Sequence, residues 1–126
     1  MKMRTKNPTL AGLAVGLAIL ALSGCRRAGE SFGAAISDRT LVPISSIVAN
    51  PAAYAGKSAT IAGRIVAECP SGCWFELQQD AAILHVDINP SGFAIPQKVG
   101  GDATVQGRIE LEDGRPVLIG GGVELH

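Results

Sequence analysis

The stretch "ATIAGRIVAECPSGCWFELQ", Ala59 to Gln78, decides how this chain folds. In its first half Ile61, Gly63, Ile65, Ala67 and Cys69 fall on alternate positions. Thr60, Arg64 and Glu68 occupy the positions between them, with Ala62 and Val66 as apolar exceptions. A period of two marks a β-strand with one face turned to a core. The pattern resumes after a break, where Cys73, Phe75 and Leu77 alternate with Trp74, Glu76 and Gln78. Pro70, Ser71 and Gly72 stand between the two runs. An early proline and a late glycine suit a hairpin turn that ends in a left-handed residue.

The same grammar continues downstream. Gln79, Asp80 and Ala81 make a turn, and "ILHVDI" (83–88) points Leu84, Val86 and Ile88 inward, leaving Ile83, His85 and Asp87 outward. "NPSGFAIPQKVGGD" (89–102) is too rich in proline and glycine for a helix. "ATVQGRIEL" (103–111) alternates cleanly, "EDGR" (112–115) is a hairpin turn around Asp-Gly, and "PVLIGGGVEL" (116–125) returns as the last strand. The triple glycine has no helix after it, so a β-bulge is expected there and not a phosphate loop. Upstream, "VPISSIVANPAAYAGK" (42–57) has Ile44, Ile47 and Val48 at helical spacing, Pro51 restarting the turn and Gly56 stopping it. The expected fold is all-β: a five-stranded barrel preceded by a short N-terminal helix.

Strand number, the inward Gly63 and Gly107, and the phrase "ANPAAYAGKSATIAGRIV" resemble the OB-fold, a Greek-key barrel, as it occurs in small exported bacterial domains. The resemblance spans roughly Val42 to Leu125. The "C-x3-C-W-F-E-L" hairpin is similar to an uncharacterised group of such proteins, which implies no particular function.

The first residues read as an address. Lys2, Arg4 and Lys6 precede the apolar run Leu10 to Leu22, which is short for a membrane span, and "LSGC" (22–25) resembles the lipobox of bacterial lipoproteins. That resemblance implies a signal peptide over 1–24, lipidation at Cys25 and a membrane-anchored domain facing the periplasm or cell exterior. Residues 25–41 are expected to be a flexible tether, and residues 42–126 the folded domain. Cleavage would leave 102 residues, with eight basic against eleven acidic side chains, a formal charge of −3. No basic footprint exists for nucleic acid.

Cys69 and Cys73, at the first hairpin, admit three readings. Opposed across the turn, they are close enough for a disulfide, the leading expectation in an exported protein. Two thiolates also suit Cu(I), and C-x3-C resembles the copper motif of exported copper chaperones serving cytochrome oxidase, although only the pair carries over. A thiol-redox centre ranks last, because a hairpin supplies no helix N-terminus to lower a thiol pKa. His85, the obvious third metal ligand, is expected to point outward while both cysteines point inward. No catalytic set emerges from the sequence. Trp74, Glu76, His85 and Asp87 should share the outer face of the second and third strands, where OB-folds commonly hold ligands. The expected function is therefore non-enzymatic binding of an envelope protein or small ligand; the alternative is a periplasmic Cu(I) chaperone or thiol-redox carrier.

Overall fold

The computed structural model describes residues 29–126, so the signal segment, the lipobox and Cys25 lie outside it. The strands are β1 (Glu30–Gly33), β2 (Ser58–Glu68), β3 (Trp74–Gln79), β4 (Ala82–Asp87), β5 (Asp102–Glu112) and β6 (Arg115–Leu125). β2 pairs antiparallel with β3 and with β5, and β3 pairs with β4. β4 then lies parallel to β6, and β6 closes the ring against β5. Five strands thus make a closed OB-fold-like barrel. Closure leaves none of these five with an open edge along its whole length.

The core follows the alternation. Ile61, Ile65, Phe75, Leu77, Val86, Val105, Ile109 and Leu118 are fully buried inside the ring. Two short helices, α1 (Ile44–Ala49) and α2 (Pro51–Tyr54), precede β2; Ile44 and Ile47 plug the barrel from α1. Pro51 opens α2, whose missing N–H is no loss at a first turn, and Gly56 follows in the left-handed region at φ 78°. The loop before β5 carries a 3-10 turn (Asn89–Ser91) and lays buried Ile95 against the core.

The glycines mark where backbones meet. A Cβ on Gly107 would lie 2.0 Å from the Ile119 carbonyl oxygen. The register shifts beside it, Gln106 facing Gly122 and Gly107 facing Gly120, so Gly121 is the extra residue of a bulge. The triple glycine is therefore a bulge, as its context suggested.

Two expectations fail. The segment assigned to a tether is not free from residue 30 onward. β1 pairs with the end of β6, Glu30 facing Leu125, and Ile36 is buried beyond it. Ser37 N–H donates to Gln106 Oε1 at 2.7 Å, the Thr60 hydroxyl donates to the Asp38 carbonyl at 2.7 Å, and the Arg39 guanidinium grips both carboxylate oxygens of Glu124. This strap covers the outer face of β2, which is why Thr60 is buried although its position is outward. The second failure is a phase error. Ile65 faces Leu77, but Ala67 faces Glu76 and Glu68 faces Phe75, so Val66 is a bulge. Past it the faces exchange: Glu68 turns inward, and Cys69 joins the outer side with Trp74.

Candidate functional site

β3 and β4 bring the outer-face residues together by simple opposition. Glu76 stands across from His85 and Trp74 across from Asp87. The Trp74 and His85 rings lie diagonally, with centroids 5.2 Å apart and planes tilted by 33°. Glu76 Oε1 is 3.9 Å from His85 Nδ1, an ion pair only when the imidazole carries a proton. Asp87 is drawn elsewhere. Its Oδ1 accepts the Asn89 N–H at 3.0 Å, two residues on, where the chain enters the 3-10 turn.

Beside this cluster lies a groove of about 760 Å³. Its apolar lining comes from Val48 of α1, Ile83 of β4 and Pro116 and Val117 of β6, and its polar lining from Glu76, His85, Glu112, Asp113 and Arg115. Ile83 and Val48 keep 47 % and 42 % of their surface exposed, enough apolar area for a ligand to cover. Three carboxylates oppose one guanidinium, so the field over an apolar floor favours a cation. The sequence placed Glu76, Ile83 and His85 outward. It gave no sign that the β5–β6 turn would join them, because that follows from β6 running parallel to β4.

The cysteine turn sits at the adjoining end of β3. Cys69 N–H donates to the Trp74 carbonyl at 2.9 Å, so Cys69 and Trp74 flank the loop and residues 70–73 form it. The direct Cys69–Cys73 opposition expected from alternation is thus replaced by a loop one residue longer, and neither cysteine is in the core. Gly72 N–H returns to the Cys69 carbonyl at 2.8 Å, and Gly72 is left-handed at φ 74°. The two thiols are free and half-buried, not joined as the expected disulfide, with their sulfurs 2.6 Å apart.

Donors converge on the Cys69 sulfur. The Cys73 thiol donates to it, Ser71 Oγ lies 3.0 Å away, and the amides of Ser71 and Cys73 add to the effect. These hydrogen bonds favour the anion and lower the Cys69 pKa to about 6. The Cys73 pKa is raised, chiefly because its proton is held on the Cys69 sulfur. A hairpin can therefore acidify a thiol without a helix dipole. The overlooked residue is Ser71, whose hydroxyl reaches both sulfurs across the turn. No third histidine, cysteine, aspartate or glutamate joins the pair in a metal-binding group among the described residues. His126 is held against β5: its N–H donates to the Asp102 carbonyl, and its ring lies 3.0 Å from the Thr104 hydroxyl.

No known family and no curated protein matches the chain. Among solved structures, it is similar to the hypothetical protein YgiW from E. coli, with a TM-score of 0.54 and 12 % identity over 69 % of this chain and 90 % of that one. At that identity the likeness shows the fold alone, an OB-fold-like barrel.

Proposed function

We propose that the protein is a lipid-anchored binding module of the bacterial envelope, and that its groove takes a cationic ligand with an apolar portion. The groove between the β3–β4 face and the β5–β6 turn carries this reading: exposed Ile83 and Val48 offer apolar area, while Glu76, Glu112 and Asp113 supply negative charge at its sides. The same carboxylates disfavour a phosphate backbone, consistent with no nucleic-acid partner. Ligands on OB-folds occupy the corresponding strands and loops. The anchor rests on the "LSGC" motif and Cys25. No helix among the described residues is long and apolar enough to cross a membrane.

A short lysine–leucine peptide tests the groove, with Trp74 fluorescence as the signal. Saturable binding that weakens in high salt and is lost in Glu112→Lys supports the reading; an equal response to a glutamate–leucine peptide overturns it. For the anchor, Cys25→Ala should abolish labelling by radioactive palmitate and release the protein from the membrane fraction.

A further inference from the structure

We propose that Cys69 and Cys73 form a thiol–disulfide exchange centre whose substrates are disulfides of other proteins or of small thiols. This inference is independent of the groove, and adds chemistry to a protein otherwise read as a binder.

Geometry supports this role. The turn brings the two sulfurs together, 2.6 Å apart, where a disulfide of about 2.05 Å can form without moving the backbone far. The backbone of the turn is fastened in place. Gln97 Nε2 donates to the Cys69 and Pro70 carbonyls at 3.0 and 2.8 Å. Ile95 N–H reaches the Gly72 carbonyl at 3.2 Å, and Ile88 N–H the Cys73 carbonyl at 3.1 Å. Glu68 Oε1, turned inward by the Val66 bulge, accepts the N–H groups of Lys98 and Val99. A turn held this way keeps the second thiol beside the first, which makes ring closure faster than release of a mixed adduct.

Roles follow from the donors. Cys69, ionised near neutral pH, attacks one sulfur of a disulfide R–S–S–R′; the S–S bond breaks and R′S⁻ leaves. The Cys73 thiol gives its proton to that leaving thiolate. The Cys73 thiolate then attacks the Cys69 sulfur, breaking the Cys69–S–R bond, and RS⁻ leaves to take a proton from solvent. The substrate gains two electrons and becomes two thiols, while the protein becomes the Cys69–Cys73 disulfide. Both sulfurs are partly exposed, so a substrate can reach them.

The probe is oxidised glutathione, added at pH 6 to the reduced full chain in detergent, with peptide mass mapping to follow Cys69 and Cys73 apart from Cys25. Wild-type protein should release two glutathiones and gain an internal disulfide without accumulating an adduct. Cys73→Ser should stop at a glutathione adduct on Cys69. Cys69→Ser should react about tenfold more slowly, since the greater thiolate fraction of Cys69 outweighs its lower intrinsic nucleophilicity. The near-ultraviolet signal of Trp74 confirms that each variant is folded. Adducts that persist in wild type, preferential attack at Cys73, or a native disulfide that excess reduced glutathione cannot open would overturn the proposal. So would retention of Cu(I) against a chelator with both thiols inert to glutathione, which would make the turn a metal site.

Discussion

Gly72 carries the tightest constraint on the cysteine turn. Its φ of 74° already disfavours a side chain, and a Cβ would also lie 2.1 Å from the Ile95 carbonyl oxygen. Gly56 has a similar φ of 78° with nothing within 4 Å of its Cβ direction. Gly56→Ala should therefore cost about 1 kcal/mol for backbone strain alone, and Gly72→Ala about 2–3 kcal/mol, because the loop must also move. Urea denaturation of the two variants isolates the difference; equal costs would mean that Ile95 yields freely. A second residue-scale prediction concerns Cys69. With its pKa lowered to about 6, its alkylation by iodoacetamide should rise through half-maximum near pH 6 in wild type and move up toward the ordinary thiol range in Ser71→Ala. What the sequence revealed at this scale was the turn itself, from Pro70 and Gly72. It hid the facing of Cys69, because an apolar bulge residue such as Val66 looks like ordinary strand and the alternation runs through it unmarked.

At the scale of elements, the strap from Glu30 to Arg39 is the part least legible beforehand. A four-residue strand is too short to show a period, and "GAAISDR" reads as polar linker until Ile36 is found buried. Ile36→Ala should cost about 2–4 kcal/mol in chemical denaturation, whereas a free tether would lose nothing. The ion pair at the far end of the strap adds a pH dependence. Its hydrogen bonds from Arg39 lower the Glu124 pKa, so the folded state holds that proton less tightly than the unfolded chain. The contribution is present above the unfolded value and is lost as pH falls through the folded one. Wild type and Glu124→Gln should therefore differ in stability at neutral pH and converge in acid. Persistence of the gap in acid would assign it to packing. By contrast, β2 to β6 were readable because each has six or more residues with one face committed to a core, and the turns between β3 and β4 and between β5 and β6 carry their own signatures at Asp80 and Asp113-Gly114.

At the scale of the molecule, barrel closure creates the groove and decides its charge. Glu76 and Glu112 are distant in sequence, yet the parallel β4–β6 pairing sets them around one depression. No local pattern announces such a site. Reversing both charges with Glu76→Lys and Glu112→Lys should leave the fold intact, since both side chains are on the outer surface, and should exchange the preference from cationic to anionic peptides. A binding titration against both peptides reads this directly; an unchanged preference would place recognition elsewhere.

β6 is common to most of these features. It pairs with β5 along its length, with β4 through Val117–Ile119, and with β1 through Gly122–Leu125. β6 is thus the strand on which three others depend, and β1, the first strand described, pairs with it. Until β6 is in place, β4 and β5 can meet their neighbours through β3 and β2 but the ring cannot close, and β1 lacks the strand it pairs with. Assembly is therefore dominated by non-local pairing, the kind that folds slowly and exposes strand edges meanwhile. Docking of one strand thus converts an open sheet with two free edges into a closed ring.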